Sequence, residues 1–244
     1  MDIRNKVGIV TGGADGIGRC IAESFYRAGA KVIVFDIDSS RLKNLSNKMP
    51  DITTVRVDVS IKEDVFKQVD KVMGKFGEVN ILVNNAGICE CKPVLDIAEK
   101  SWDRMMNINL KSVFFMSQAV IPFMKKKKQG KIVNIASIAG KIGGMLTGTH
   151  YSVSKAGVIC FTKCLARELA PYSINVNCVC PSIVNTDMTR LYKREDIKRI
   201  VETIPLGRIP EPEEVANAVL FLSSESSNFI TGEIMDVNGG SLMD

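Results

Sequence analysis

The chain runs to 244 residues, 45% hydrophobic and 24% charged, with Lys and Arg outnumbering Asp and Glu by 32 to 27. This is the composition of a globular protein with a sizeable core, and no stretch reaches the roughly 18 apolar residues of a membrane span. The basic excess includes Lys125 to Lys128, but no aromatic residues interleave with that run, so a solvated loop explains it better than nucleic acid does.

Residues 1–6 lead straight into a strand pattern without an apolar leader segment, so a cytoplasmic protein is expected. Short β-branched runs then alternate with segments of helical period. Strands are expected at 7–11, 31–36, 54–58, 81–84, 131–135, 174–179 and 233–237, and helices at 17–28, 62–76, 102–124, 152–169 and 213–222. Alternating strand and helix implies parallel strands joined by right-handed crossovers. The nearly continuous hydrophobic strands imply helices on both faces. The expected fold is α/β: a single domain over residues 1–244, a Rossmann-type doubly wound parallel sheet of about seven strands. Its ligands should bind beyond the carboxyl ends of the strands, at the switch point.

After the first strand comes Thr11-Gly12-Gly13-Ala14-Asp15-Gly16-Ile17-Gly18, opening directly into a helix. Glycines there permit a tight turn and let the backbone approach a pyrophosphate, while the helix N-terminus presents unpaired N–H groups. Asp36 closes the second strand, where a carboxylate can accept hydrogen bonds from both ribose hydroxyls of an adenosine. Its charge would repel a 2′-phosphate, and Asp15 stands where a cation would help hold one, so NAD is favoured over NADP. As a bare strand-end residue, Asp36 would simply begin a turn continuing into Asp38 and Ser39. Asp58 and Val59 close the third expected strand, and Asn84-Asn85-Ala86-Gly87 closes the fourth with a small-residue turn.

Tyr151 and Lys155 stand at i and i+4 of an expected helix, on one face. A cation beside a phenol favours the phenolate and fits the pair for acid–base work, although an exposed Tyr and Lys at that spacing are also ordinary surface residues. The seven cysteines, Cys20, Cys89, Cys91, Cys160, Cys164, Cys178 and Cys180, fall largely in apparent core runs and are expected to be reduced thiols. With one histidine, His150, and no second Cys-x-x-Cys pair, no metal site is expected.

In their order and spacing, Thr11-Gly12-x-x-x-Gly16-Ile17-Gly18, Asn84-Asn85-Ala86-Gly87, Asn109, Ser137, Tyr151-x-x-x-Lys155 and Pro181-Ser-Ile-Val-Asn-Thr186 resemble the short-chain dehydrogenase/reductase family, near its 3-oxoacyl-ACP reductase-like branch. The likeness covers essentially the full length. It implies an oxidoreductase that interconverts a secondary alcohol and a ketone by hydride transfer with NAD. Asn109, Ser137, Tyr151 and Lys155 would be catalytic: Tyr151 the proton donor or acceptor, Lys155 lowering its pKa, Ser137 binding the substrate oxygen, Asn109 organising a water-linked relay. Asn107 competes with Asn109, but the family motif places the amide directly before a run that here is Leu110 to Phe114.

The resemblance also implies a cofactor held by Gly12, Asp15, Gly16, Ile17 and Gly18 in the loop and by Asp36, Asp58 and Val59 at the adenosine end. Asn85, Ala86, Gly87, Tyr151, Lys155, Pro181, Val184 and Thr186 would follow toward the nicotinamide. One departure is Ser182 where the family has glycine after the proline; serine tolerates positive φ less well, so a different turn is expected. Residues 187–207 match a substrate loop and lid, mixing Arg190, Lys193, Arg194, Lys198 and Arg199 with Leu191, Tyr192 and Ile197. An amphipathic solvated helix explains that mixture better than an anion site. His150 is expected either to touch substrate or to make a structural hydrogen bond. Family likeness implies a homotetramer built by the Trp102 and Ser152 helices and the strand near Asp236. A 3-oxoacyl thioester ranks first among substrates, ahead of polyols, sugars, hydroxysteroids and small diketones. A dinucleotide-binding regulator without turnover is the alternative from a different class.

Overall fold

The computed structural model describes residues 1–243, and for Arg190 and Leu191 the backbone alone, so the expected lid contributions of those two side chains lie outside the described residues. Seven strands, β1 (Val7–Thr11), β2 (Lys31–Asp36), β3 (Thr53–Arg56), β4 (Ile81–Asn84), β5 (Gly130–Ile135), β6 (Ile174–Pro181) and β7 (Ile234–Val237), form one parallel sheet ordered β3-β2-β1-β4-β5-β6-β7. The order reverses between β1 and β4, whose register pairs Gly8 with Ile81. That reversal opens the crevice in which ligands of such sheets bind.

Side-chain alternation explains why these strands read as unbroken apolar runs. Val10 and Val34 belong to one core layer and Ile9 and Ile33 to the other, all fully buried. Helices α1 (Gly16–Arg27), α2 (Ser39–Lys48) and α9 (Pro212–Ser223) cover the first layer. Helices α3 (Lys62–Phe76), α5 (Ser112–Lys127) and α7 (Thr149–Leu169) cover the second. Between them lie α4 (Glu99–Met106), the short α6 (Ala139–Ile142) and α8 (Arg194–Glu202).

Three local features depart from the expected elements. Helix α2 lies where none was expected, because only Leu42 and Leu45 are buried in an otherwise polar segment. Its start is fixed instead by a cap, the Asp38 carboxylate accepting from the N–H groups of Ser40 and Arg41 at 2.9 and 3.0 Å. Strand β3 stops at Arg56 rather than 58, since Asp58 turns the chain by accepting from the Ser60 N–H and hydroxyl at 3.0 and 2.6 Å. The helix expected over 102–124 is interrupted by a π-turn at Asn107–Lys111, between α4 and α5. Such bulges displace side chains from the regular ladder and recur at functional sites; this one carries Asn109.

Candidate active site

The glycine loop is built to leave backbone N–H groups exposed to a ligand. Gly12 and Gly16 have φ of +61° and +51°, values open to glycine at little cost. A Cβ on Gly12 would approach the Ala86 Cα to 2.9 Å, and one on Gly18 would overlap the Gly12 carbonyl oxygen and Asn85 Nδ2. Asn85 explains this closeness: its Nδ2 donates to the carbonyls of Thr11 and Gly12, each at 3.0 Å. Thr11 Oγ1 accepts in return from the N–H groups of Asn85 and Ala86 at 3.0 and 3.1 Å. Asn85 therefore shapes the loop with its side chain while also lining the cavity. Asp15 precedes α1 without capping it, which leaves the first-turn N–H groups and the positive helix end facing the crevice.

At the end of β2 the Asp36 carboxylate is held by two backbone donors, Ala14 N–H at 3.1 Å and Asp38 N–H at 3.0 Å, one to each oxygen. Each oxygen keeps a further lone pair for a diol. Arg41, from α2, reaches the same end of the crevice and pairs with Asp15 at 2.5 Å, Asp38 at 3.6 Å and Asp187 at 3.8 Å. Asp58 and Val59 line the crevice from the turn after β3. Loop, carboxylate and cradle together fit a dinucleotide.

Ser137 follows β5, and Tyr151 and Lys155 stand in the first turns of α7, so that the three line one cavity. Ser137 Oγ accepts from the Ala139 N–H at 3.1 Å, which opens α6. Burial pushes the Tyr151 phenol well above its ordinary pKa, more than the Ser137 hydroxyl brings it down. Lys155 is 5% exposed. Its Nζ donates to the Ile135 carbonyl at 2.8 Å and lies 5.8 Å from the centre of the Tyr151 ring. Burial drives this ammonium down to about 8, because an apolar surrounding disfavours the charged form. Desolvation of the phenol is thus the largest influence on Tyr151.

Asn109 is buried at the π-turn. Its Oδ1 accepts from the Ile88 N–H at 2.8 Å, and its Nδ2 donates to the Ile88 carbonyl at 2.9 Å and to Ser154 Oγ at 3.1 Å. The side chain thus staples the segment after β4 to the catalytic helix. Its neighbour Asn107 makes no comparable contact among the described residues.

The wall after β6 holds Pro181, Val184 and Thr186. Thr186 faces the glycine loop, its methyl 3.6 Å from where a Gly16 Cβ would stand. Ser182 does not adopt positive φ, so the turn accommodates serine without the strain the sequence pointed to. Its N–H donates to the Val237 carbonyl at 3.2 Å, and its buried hydroxyl has no partner among the described residues. Pro181, Ser182, Val184 and Thr186 line one cavity of about 780 Å³ with the glycine loop, Ser137, Tyr151 and Lys155, and Ile138, Met145, Leu146, Met188 and Tyr192 add apolar surface to it.

A model of the family described as Enoyl-(Acyl carrier protein) reductase matches residues 12–241. The 3-oxoacyl-[acyl-carrier-protein] reductase FabG of Thermotoga maritima is 39% identical, covering 98% of this chain and 99% of its own. The FabG of Aquifex aeolicus is 40% identical, covering 98% of each chain. The crystal structure of gox2181 superposes with a TM-score of 0.95 at 35% identity, covering 98% of this chain and 96% of that one. The chain is a short-chain dehydrogenase/reductase.

As in the expected pattern of such an oxidoreductase, the motif residues from Gly12 to Thr186 meet around one crevice, although Asn85 and Asn109 spend their side chains on backbone groups. One sequence alternative is narrowed and one expectation is corrected. His150 is fully buried and lies 3.5 Å from Glu90 Oε2, away from the cavity. Glu90 collects the Ser101 hydroxyl and the cations Lys92 and Arg104, and its carboxyl is held down to about 2, by Ser101 first. His150 is thus sealed from the cavity, which closes the substrate contact among its two expected roles. Cys160 and Cys164 are exposed on α7, and only Cys178 and Cys180 are buried thiols. What the sequence hid is the pair Cys89 and Tyr192, which face each other across the cavity mouth at 3.6 Å. No spacing links residues so far apart.

Proposed function

We propose that this short-chain dehydrogenase/reductase interconverts a secondary alcohol and a ketone with NAD(H), and that its first substrate class is the 3-oxoacyl thioester. The observation that carries the reading is the convergence of Tyr151, Ser137 and a buried Lys155 in the cavity the glycine loop opens onto. Ser137 and Tyr151 donate to the substrate carbonyl oxygen and stabilise the charge that develops on it. Tyr151, kept neutral by burial, gives its proton to that oxygen in reduction and takes it back in oxidation. Lys155 stays cationic at neutral pH and stabilises the phenolate left behind. When bound, the nicotinamide supplies the hydride chemistry, and the protein supplies orientation and electrostatics. The first-turn N–H groups of α1 would hold the pyrophosphate and Asp36 the adenosine ribose. Val184 and Thr186 would stand beside the nicotinamide.

NAD is favoured by the Asp36 carboxylate, which repels a 2′-phosphate. Arg41 supports a second reading, NADP, because it is a cation at the same end; its ties to Asp15, Asp38 and Asp187 weaken that reading. The apolar surface of the cavity and the names of the relatives support an acyl substrate. The working unit is one domain over residues 1–244 with residues 187–207 as lid. It assembles as a homotetramer in the cytoplasm. The exposed Trp102 (37%), Phe114 (44%) and Val153 (41%) support that assembly, as large apolar side chains in water favour association. No helix among the described residues is long and apolar enough to cross a membrane.

The test is a panel of acetoacetyl-CoA, a polyol, a sugar and a hydroxysteroid, each with both cofactors, run on the wild type and Tyr151→Phe. Turnover of acetoacetyl-CoA with NADH at least 10-fold more efficient than with NADPH is expected. Tyr151→Phe is expected to lose at least about 10³-fold in kcat while NADH binding, read by fluorescence, stays within about 3-fold. Equal or better efficiency with NADPH overturns the cofactor assignment, activity confined to a steroid or polyol overturns the substrate, and near-normal activity of Tyr151→Phe overturns the role. NADH binding without turnover would point to the regulator.

A further inference from the structure

Tyr192 brings a second phenol into the cavity that Tyr151 lines. It follows the short 3-10 turn Asp187–Leu191 and is anchored by its own N–H, which donates to the Thr189 carbonyl at 3.0 Å. Its side chain is half-buried and lines the same cavity as Ser137 and Tyr151. Among the described residues the hydrogen-bond partner of its hydroxyl is a thiol, Cys89 Sγ at 3.6 Å. Sulfur is a weak acceptor. The donor is therefore held in place without being committed, and exchanging a thiol for a carbonyl oxygen strengthens its hydrogen bond.

The reacting carbonyl oxygen already has two donors, Ser137 and Tyr151. A third donor in the same cavity fits a second oxygen on the same substrate. The surroundings of Tyr192 narrow the choice further. Ile138, Met145, Leu146 and Met188 line the wall with apolar surface, which suits an acyl chain better than a ring of hydroxyls. We propose that Tyr192 is a substrate-positioning residue, its phenol donating a hydrogen bond to a second carbonyl of a 3-oxo substrate, which in a 3-oxoacyl thioester is the thioester carbonyl. This assignment to the thioester rests on the substrate class proposed above; the preference for a second carbonyl does not. Burial, and then the neighbouring Cys89, push the Tyr192 phenol well above its ordinary pKa, so it remains a neutral donor throughout the working pH range.

The test compares wild type and Tyr192→Phe on acetoacetyl-CoA, pentane-2,4-dione and pentan-2-one; the last two differ only in the second carbonyl. The expected result is a rise of about 5- to 10-fold in KM for both dicarbonyls, the loss of one hydrogen bond, with kcat and both constants for pentan-2-one within about 2-fold. Tyr192→Met, which lacks the donor but keeps an apolar filling, should show the same selective loss and serves if Tyr192→Phe is poorly folded. Equal losses on pentane-2,4-dione and pentan-2-one, or none on either, overturn the proposal. So does a wild-type enzyme that favours neither dicarbonyl over pentan-2-one. Selective loss on pentane-2,4-dione by an enzyme that ignores acetoacetyl-CoA upholds the role of Tyr192 and overturns the thioester reading.

Discussion

The adenosine side of the crevice and its Tyr192 side are held together by different means. On the adenosine side, Asn85 is tied to the Thr11 and Gly12 carbonyls and Asp36 to two backbone N–H groups. Each polar atom there is fixed by short bonds to main chain, so the loop has one shape. On the Tyr192 side, the phenol meets the Cys89 thiol, and among the described residues the Ser182 hydroxyl meets no partner. Rigid positioning suits a cofactor whose shape never varies, while loosely committed donors suit a wall that must answer to a particular substrate.

The sharpest way to break this contrast is Gly18→Ala. The added methyl overlaps the Gly12 carbonyl and Asn85 Nδ2, backbone and a committed amide that cannot both yield. A loss of about 3 kcal/mol or more in stability is expected, with NADH binding weakened at least about 10-fold. Thermal unfolding and fluorescence titration check both, and a variant with wild-type values would show that the loop is adaptable after all.

A smaller effect, on pH dependence, is expected at Lys155. Its folded-state pKa of about 8 lies below the ordinary lysine value of 10.5, so between those limits the unfolded chain binds more protons and stability rises with pH. The destabilisation is complete below about pH 8 and fades toward pH 10.5. Lys155→Met should remove that slope, worth about 3 kcal/mol across the interval, together with the turnover that needs the cation. Denaturant unfolding of both proteins at pH 7 and at pH 10 measures the difference; parallel profiles would mean that the ammonium is not desolvated.

The smallest effect belongs to the Tyr192 side. Ser182→Ala removes a buried hydroxyl without a protein partner at a backbone position free of positive φ, and should leave stability unchanged or raise it by up to about 1 kcal/mol. A loss larger than that in thermal unfolding would show that the hydroxyl is as firmly committed as Asn85.

Much of the site was readable in the chain because its determinants are local. A glycine loop between strand and helix, a carboxylate at a strand end and a Tyr–Lys pair on one helix face all lie within a few residues of the backbone that positions them. Helix α2 escaped because its apolar stripe is only Leu42 and Leu45, and the π-turn at Asn109 escaped because hydrophobic period does not register one inserted residue. Cys160 and Cys164 sit in an apolar stretch yet face outward, since composition does not say which side of a helix meets a neighbour.

By itself the sequence determined the parallel α/β order, the cofactor loop and the identity of the phenol and ammonium, because strand period, glycine placement and i, i+4 spacing are properties of short segments. Only the tertiary structure decided that Asn85 serves the loop, that His150 is sealed under Glu90, that burial sets the Tyr151 and Lys155 pKa values, and that Tyr192 faces Cys89. Those facts depend on which side chains long-range packing brings together and on how much water it excludes.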